Sequence, residues 1–361
     1  MSEPNDTFSG TRPVSEAHAF EIGPLQEWLQ RHVPDFQGPL TVEMFKGGQS
    51  NPTYKINTPQ RSYVMRAKPG PVAKLLPSAH AIEREFKVMS ALAHTDVPVA
   101  QMLALCEDES VIGRAFYIME YVQGRVLWDQ SLPGNTPSER RAHYVELNRV
   151  MSCLHKAPYA QIGLADYGKP GNYIERQIGR WSKQYQASIT QPIDAMDRLM
   201  EWLPANMPPS SKTDLTSIVH GDYRIDNVMY HPQKPQILAV LDWELSTLGH
   251  PLADFSYHCM AWHIPPGTFR GLGGVDLNGL GIPLEDEYIR MYCDLTGLAD
   301  PVDLKTDWNF YLAYNMFRIA AILQGIAKRV ENGTASSAQA RASGAGARPM
   351  AELAWQFAQR A

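Results

Sequence analysis

Three oxygen-bearing side chains, Asp222, Asn227 and Asp242, stand where phosphoryl chemistry would need them. The run Ile218-Val219-His220-Gly221-Asp222-Tyr223-Arg224-Ile225-Asp226-Asn227-Val228-Met229 puts Asn227 five positions after Asp222. That is the spacing of a loop in which an Asp takes the proton of an attacking hydroxyl and an Asn holds magnesium. In Leu238-Ala239-Val240-Leu241-Asp242-Trp243-Glu244, Asp242 directly follows an apolar, strand-like stretch. A carboxylate so placed can hold a metal ion between phosphates. Phosphoryl transfer requires an aligned hydroxyl and compensation of charge on the phosphate oxygens. Asp222 suits the first task. Asn227, with a neutral oxygen, and Asp242, with an anionic one, suit the second through Mg2+. Imidazole-rich and thiolate-rich clusters are absent from the sequence, so the donor set favours magnesium over zinc. Singly, each of these residues could merely cap a turn; the three together point to a reaction. Arg224, two positions after Asp222, is assigned to a substrate or phosphate anion, with an ion pair to Asp226 as the alternative.

The elements that must position these groups change character along the chain. Residues 1–20 read as a flexible leader, and 21–32 as a short helix with Ile22, Leu25 and Leu29 on its apolar side. Strands are expected at 42–45, 54–57 and 63–66, with Lys46-Gly47-Gly48-Gln49-Ser50-Asn51 as a glycine-bearing turn. A helix is expected over 79–92, with Ser78 as its cap, and apolar strands near 102–105 and 116–122. From about 137 helical patterns dominate: 137–154, 173–187, 192–203, 284–292 and 308–330. They are interrupted by a strand–loop–strand element over 219–241 and a Gly- and Pro-rich loop over 265–283. The segment 331–349 reads as a linker before a last helix at 350–360. Strands first and helices later predict an α+β protein with a small antiparallel-sheet lobe and a larger, mainly helical one. The expected division is a nucleotide-binding lobe at 21–123 and a catalytic and acceptor-binding lobe at 124–361.

Composition narrows the class. The chain has 361 residues, enough for two lobes, with 44% hydrophobic and 20% charged residues. A formal net charge of -5 gives no support for a nucleic-acid partner. The four cysteines form no C-x-x-C pair, as expected of free thiols in a reducing compartment. The amino end lacks a signal-peptide core, and no apolar run reaches the roughly 18 residues of a membrane span. A cytoplasmic protein without a membrane partner, monomeric or homodimeric, is the expectation.

The chain resembles the aminoglycoside phosphotransferase and choline kinase superfamily, and most of all the kinase-like domain attached to certain acyl-CoA dehydrogenases. The likeness covers roughly 38–330. It rests on Gly48-Gln49-Ser50-Asn51, Leu75-Leu76-Pro77-Ser78-Ala79-His80, His220-Gly221-Asp222 with Asn227, and Asp242-Trp243-Glu244, with Gly249, Pro251 and Asp254 downstream. The resemblance implies a protein-kinase-like fold, ATP as phosphate donor and a small hydroxyl-bearing acceptor. It also implies that Arg66 stands where relatives carry a basic residue on the third strand, often Lys. Glu85 is then its acidic partner, with Glu83 the rival. Gly48, Ser50 and Asn51 come close to the triphosphate, and Glu120 to Val122 form the hinge that meets adenine through its backbone. Arginine at 66 is a departure, since its planar fork binds phosphate differently from lysine. Asp242-Trp243-Glu244 in place of Asp-Phe-Gly, and no Ala-Pro-Glu after it, argue against protein substrates. Tyr173, Arg176, Gln177, Trp181 and Tyr185 are implied near the acceptor, with ordinary packing the plainer account of Trp181 and Tyr185. His155 and His250 read as structural.

The expected activity is transfer of the ATP γ-phosphate to a small-molecule hydroxyl. The likeness to the dehydrogenase-linked domain suggests a hydroxyacyl-CoA or hydroxy acid acceptor and a functional link to an acyl-CoA dehydrogenase. An aminoglycoside or other antibiotic kinase, and a nucleotide-binding scaffold without turnover, are the alternatives.

Overall fold

A computed structural model describes residues 10–46, 51–69, 81–267, 270–335 and 338–361. The chain divides into two compact units. The first comprises Met1–Trp128, Tyr159–Tyr167 and Arg224–Ser246; the second comprises Asp129–Pro158, Gly168–Tyr223 and Thr247–Ala361. The segment Arg224–Ser246, which follows the Asp222 loop in sequence, thus clusters with the amino-terminal strands. The expected α+β class is borne out, with an antiparallel sheet in the first unit and a mainly helical second unit.

The first unit is built on β1 (Thr11–Pro13), β2 (Thr41–Phe45), β3 (Thr53–Asn57), β4 (Ser62–Ala67), β5 (Met102–Cys106) and β6 (Phe116–Glu120), in the spatial order β1-β2-β3-β4-β6-β5 with every neighbour antiparallel. The leader expected over 1–20 therefore carries an edge strand; residues 1–9 lie outside the described residues. Pleating sends alternate side chains to opposite faces. Tyr54, Ile56, Tyr63, Met65, Phe116 and Ile118 pack into one core with Leu25, Trp28 and Leu29 of α1 (Ile22–His32). On the other face Tyr117 packs with Ile82 and Phe86 of α2 (Ile82–Leu92). The unit is completed by a hairpin of β8 (Val228–Tyr230) and β9 (Ile237–Val240). The chain leaving β6 is bound to this hairpin by reciprocal backbone bonds between Arg125 and Tyr230, 2.8 and 2.9 Å. Gly124 permits the approach, because a Cβ there would lie 2.5 Å from the Tyr230 carbonyl.

The second unit contains α3 (Pro137–Lys156), α4 (Tyr173–Ser188), α5 (Asp194–Ala205), α6 (Pro251–Cys259), α7 (Leu277–Leu280), α8 (Glu285–Thr296), α9 (Pro301–Glu331), α10 (Ala338–Ala345) and α11 (Ala347–Ala358). A capping box formed by Thr136 and Glu139, with Pro137 in the first turn, starts α3. Pro204 lies inside the last turn of α5, so the helix ends just beyond it. α9 is the central helix, buried from Trp308 through Gln324 on most sides and packed against α4, α6 and α11. The stretch expected as a linker carries α10, which lies against α9: a Cβ at Gly344 would come within 2.9 Å of Ala327. α6 is buried throughout its length, and Phe255 stacks on Tyr292 with ring centres 3.8 Å apart. A two-stranded ladder, β7 (Ser217–Val219) with β10 (Thr247–Gly249), presents the Asp222 loop at its end. Among the described residues no helix is long and apolar enough to cross a membrane.

Candidate active site

Strand register decides which side chains reach the large cavity of the first unit. Because Tyr63, Met65 and Ala67 enter the α1 core, Val64 and Arg66 point the other way. There they line a cavity of about 1210 Å3 lying wholly within this unit. Arg66 is 9% exposed and meets three carboxylates. Its Nε lies 3.0 Å from Glu85 Oε2, and one terminal nitrogen lies 3.0 Å from Asp242 Oδ1 and 3.7 Å from Glu244 Oε2. Burial opposes the guanidinium charge, but Glu85, Tyr117, Asp242 and Glu244 outweigh it and hold the pKa above its ordinary value.

Glu85 is the partner on α2. Glu83 instead pairs with Lys68. Glu85 is buried and accepts from the Asn51 side-chain amide (3.0 Å) and the Tyr117 hydroxyl (3.1 Å). Burial lifts its carboxyl above the usual range, against the pull of Arg66. Asn51 is fully buried and serves Glu85, outside the cavity lining. Gly48 and Ser50, and the stretch Leu75 to His80, lie outside the described residues. Glu120 and Val122 both line the cavity. The Glu120 backbone N–H goes to the Gln101 carbonyl at 2.9 Å, and its carboxylate accepts from the Gln101 N–H at 3.0 Å.

The β8–β9 hairpin brings the two candidate metal ligands together. Val228 pairs with Val240, so Asn227 and Asp242 extend from neighbouring strand ends. The Leu241 N–H donates to the Asn227 carbonyl at 2.8 Å. Both residues line the cavity. Asp242 adopts a left-handed backbone, φ 62°, a conformation that Asp tolerates better than bulkier residues. Two adjacent oxygen donors, one anionic, fit a hard cation such as Mg2+. Arg224 has a terminal nitrogen 3.6 Å from Asp226 Oδ2.

Asp222 belongs to the second unit. Its loop is held from below by Asp254 on α6, which accepts the backbone N–H groups of His220 (2.7 Å) and Gly221 (2.8 Å). Gly221 has φ 82°, a turn that disfavours any side chain. Burial opposes the charge of Asp254, but His155, His220 and these amides outweigh it and hold its pKa below the usual range. His155 bridges Asp254 (3.3 Å) and the Tyr292 hydroxyl (2.6 Å) and is buried, a structural role as expected. His250 is likewise buried, against the Ser210 carbonyl at 3.0 Å. Of the α4 face, Arg176 donates to the Lys169 carbonyl at 2.6 Å, Trp181 donates to Gln177 at 3.1 Å and Tyr185 is fully buried.

Three residues of this site were not assigned roles from the sequence. Asp254 is the support of the loop. Tyr257 donates its hydroxyl to Asp222 Oδ1. Arg318 on α9 donates to the Gly221 carbonyl at 2.6 Å. The signal was present: a carboxylate inside the apolar run after Pro251, and a lone cation amid Phe310 to Ala321. Buried charges of this kind require partners.

A strand cation ion-paired with a helix carboxylate, beside paired oxygen donors at a hairpin end, is the arrangement of a kinase-like phosphotransferase. The chain belongs to the phosphotransferase enzyme family, whose model matches residues 41–299. It is 48% identical to mouse acyl-CoA dehydrogenase family member 10, over 96% of this chain and 32% of that protein. The chain spans less than half the length of the curated relatives of this type that it matches. A crystal structure from Ralstonia eutropha, provisionally called an aminoglycoside phosphotransferase, is 61% identical with TM-score 0.87, covering 95% of this chain and 99% of that one. Choline kinase from Cryptosporidium parvum shares the fold, with TM-score 0.63 at 12% identity, covering 94% of this chain and 96% of that one.

Proposed function

We propose that the protein transfers the γ-phosphate of ATP to the hydroxyl of a small molecule, and that the acceptor is a hydroxyacyl-CoA or a related hydroxy acid. The observation that carries the transfer reading is the Arg66 guanidinium, held by Glu85 and Asp242 in a cavity that Asn227 also lines. In this reading the acceptor oxygen bonds to the γ-phosphorus, and the bond from that phosphorus to the β–γ bridging oxygen breaks. ADP departs, and the hydroxyl proton passes to the Asp222 carboxylate. Arg66 binds phosphate oxygens, and Glu85 keeps it aimed. Glu120 and Val122 face the adenine. Asn227 and Asp242 would hold Mg2+, which would supply charge neutralisation.

The acceptor class is supported by the dehydrogenase names of the relatives and by two arginines of α4. Arg176 and Arg180 on α4 suit an anionic acceptor better than a polycationic antibiotic. A functional link to an acyl-CoA dehydrogenase, a cytoplasmic setting and a division into a nucleotide-binding part and an acceptor-binding part belong to the same reading. The test is ADP release with hydroxyacyl thioesters of several chain lengths, choline and aminoglycosides, with Asp222→Asn as the blank. Release with a hydroxyacyl thioester alone is expected. No turnover with any of them, or turnover with aminoglycosides, would overturn the acceptor assignment.

A further inference from the structure

Behind Asp222 the second unit buries two polar side chains that loop formation alone does not require. Tyr257 lies on α6, three residues after Asp254, and is 3% exposed. Its hydroxyl donates to Asp222 Oδ1. Arg318 lies on α9 and is 7% exposed. It donates to the Gly221 carbonyl at 2.6 Å, and its guanidinium sits 5.0 Å from the Tyr257 ring centre and 5.7 Å from that of Trp181. Its Nε is buried without a hydrogen-bond partner among the described residues.

A buried guanidinium is costly unless it is paired or hydrogen-bonded. Here the position is informative. Asp254 takes the two N–H groups of His220 and Gly221, and Arg318 takes the carbonyl of Gly221. The peptide units leading into Asp222 are thus held from both polarities. Tyr257 then acts on the side chain itself. The phenol rides on a fully buried helix and its ring is covered by Arg318, so it has little freedom to follow a wandering carboxylate.

We propose that Tyr257 and Arg318 are positioning residues for Asp222: the phenol sets the orientation of the carboxylate, and the guanidinium fixes the backbone turn that carries it. This rests on the reading of Asp222 as the group that receives the hydroxyl proton. Neither residue is the group that receives the proton. They act by removing rotational freedom from a group whose misplacement by about 1 Å costs on the order of 100-fold in rate.

The test uses Tyr257→Phe, which keeps the ring and removes only the hydroxyl. The carboxylate vibration of Asp222 is isolated as the infrared difference between the parent and Asp222→Asn. The same difference is then taken in the Tyr257→Phe background. Loss of the phenol donor is expected to move the band. ATP hydrolysis with water as acceptor is expected to fall about 10- to 100-fold, with ATP affinity within about twofold because the cavity of the first unit is untouched. Arg318→Lys keeps the charge but not the planar fork, and an intermediate loss is expected. An unmoved band in Tyr257→Phe overturns the proposal. So does parental hydrolysis in Tyr257→Phe when Asp222→Asn is inactive. Parental hydrolysis in Asp222→Asn itself overturns the catalytic reading of Asp222 instead, and the two failures are thereby told apart.

Discussion

Arg66 donates to Asp242 Oδ1 at 3.0 Å, so the cation read as a phosphate ligand and the carboxylate read as a metal ligand are bonded to each other. Under the proposed function, nucleotide entry would exchange these partners, phosphate oxygens taking the Arg66 terminal nitrogen and freeing Asp242 for a cation. Among the described residues no group of three or more His, Cys, Asp or Glu is placed to hold a metal unaided. Mg2+ is therefore expected to bind weakly to the protein alone and tightly with a non-hydrolysable ATP analogue. Calorimetric titration in both conditions checks this, with Asp242→Ala abolishing the nucleotide-dependent component. Tight binding without nucleotide, unchanged in Asp242→Ala, would contradict it.

Glu85 and Glu83 have different neighbours, and their variants are expected to differ accordingly. Glu85→Ala removes the main partner of a buried guanidinium and strands the Asn51 amide and the Tyr117 hydroxyl. Breaking a buried ion pair on one side costs about 3–5 kcal/mol, so the melting temperature and ATP affinity both drop. Glu83→Ala loses a half-exposed pair with Lys68 and is expected to cost about 1 kcal/mol or less. Equal losses in the two variants would show that Arg66 does not depend on Glu85. Chemical denaturation of both variants makes the comparison.

Acid should destabilise the second unit through two histidines. Burial pushes His250 and His258 down to about 4. Unfolded histidine titrates near about 6.5. Below that pH the unfolded chain binds protons that the folded state refuses, so stability falls as pH drops from about 6.5 toward 4. The slope reaches up to about 1.4 kcal/mol per pH unit for each histidine. Denaturation midpoints at pH 7, 6 and 5 measure it, and His258→Gln is expected to reduce the slope. Equal stability at pH 7 and pH 5 would contradict the assignment.

Arg84 carries a separate expectation about α2. It donates to the carbonyls of Tyr167 (2.8 Å) and Ser246 (3.3 Å), and its guanidinium lies 4.3 Å from the Tyr167 ring centre. These contacts pin the helix that carries Glu85 to the segment just past Asp242. Arg84→Ala is expected to weaken ATP binding while Arg84→Lys restores part of it. Affinity at the parental level in Arg84→Ala would show that α2 is held without it.

Local pattern made much of this legible. Arg66 faces the cavity because the alternation of Tyr63, Val64, Met65 and Arg66 leaves it no other side. Helical periodicity located α2, and the resemblance made Glu85 and Glu83 the candidate partners on it. Choosing between Glu83 and Glu85 required the phase of that helix against the sheet, a long-range quantity that no short window contains. The same limit hid Tyr257 and Arg318, which meet the Asp222 loop from residues 35 and 97 positions away. The resemblance implies a triphosphate contact for Asn51, and its buried side-chain amide donates to Glu85. The edge strand Thr11–Pro13 has too little apolar alternation to reveal itself without β2 beside it.

The most direct test of the catalytic reading is Asp222→Asn, measured for melting temperature, Mg-ATP affinity and phosphate transfer on one preparation. Asparagine preserves the shape of the side chain but cannot accept the hydroxyl proton. Arg66, Glu85, Asn227 and Asp242 remain, so stability and nucleotide affinity should change little. Transfer should fall by roughly 10²- to 10⁴-fold, the range of general-base catalysis, with part of the loss from misorientation of the acceptor. Transfer at the parental rate in a folded, ATP-binding Asp222→Asn protein would contradict the role of Asp222 and the mechanism built on it.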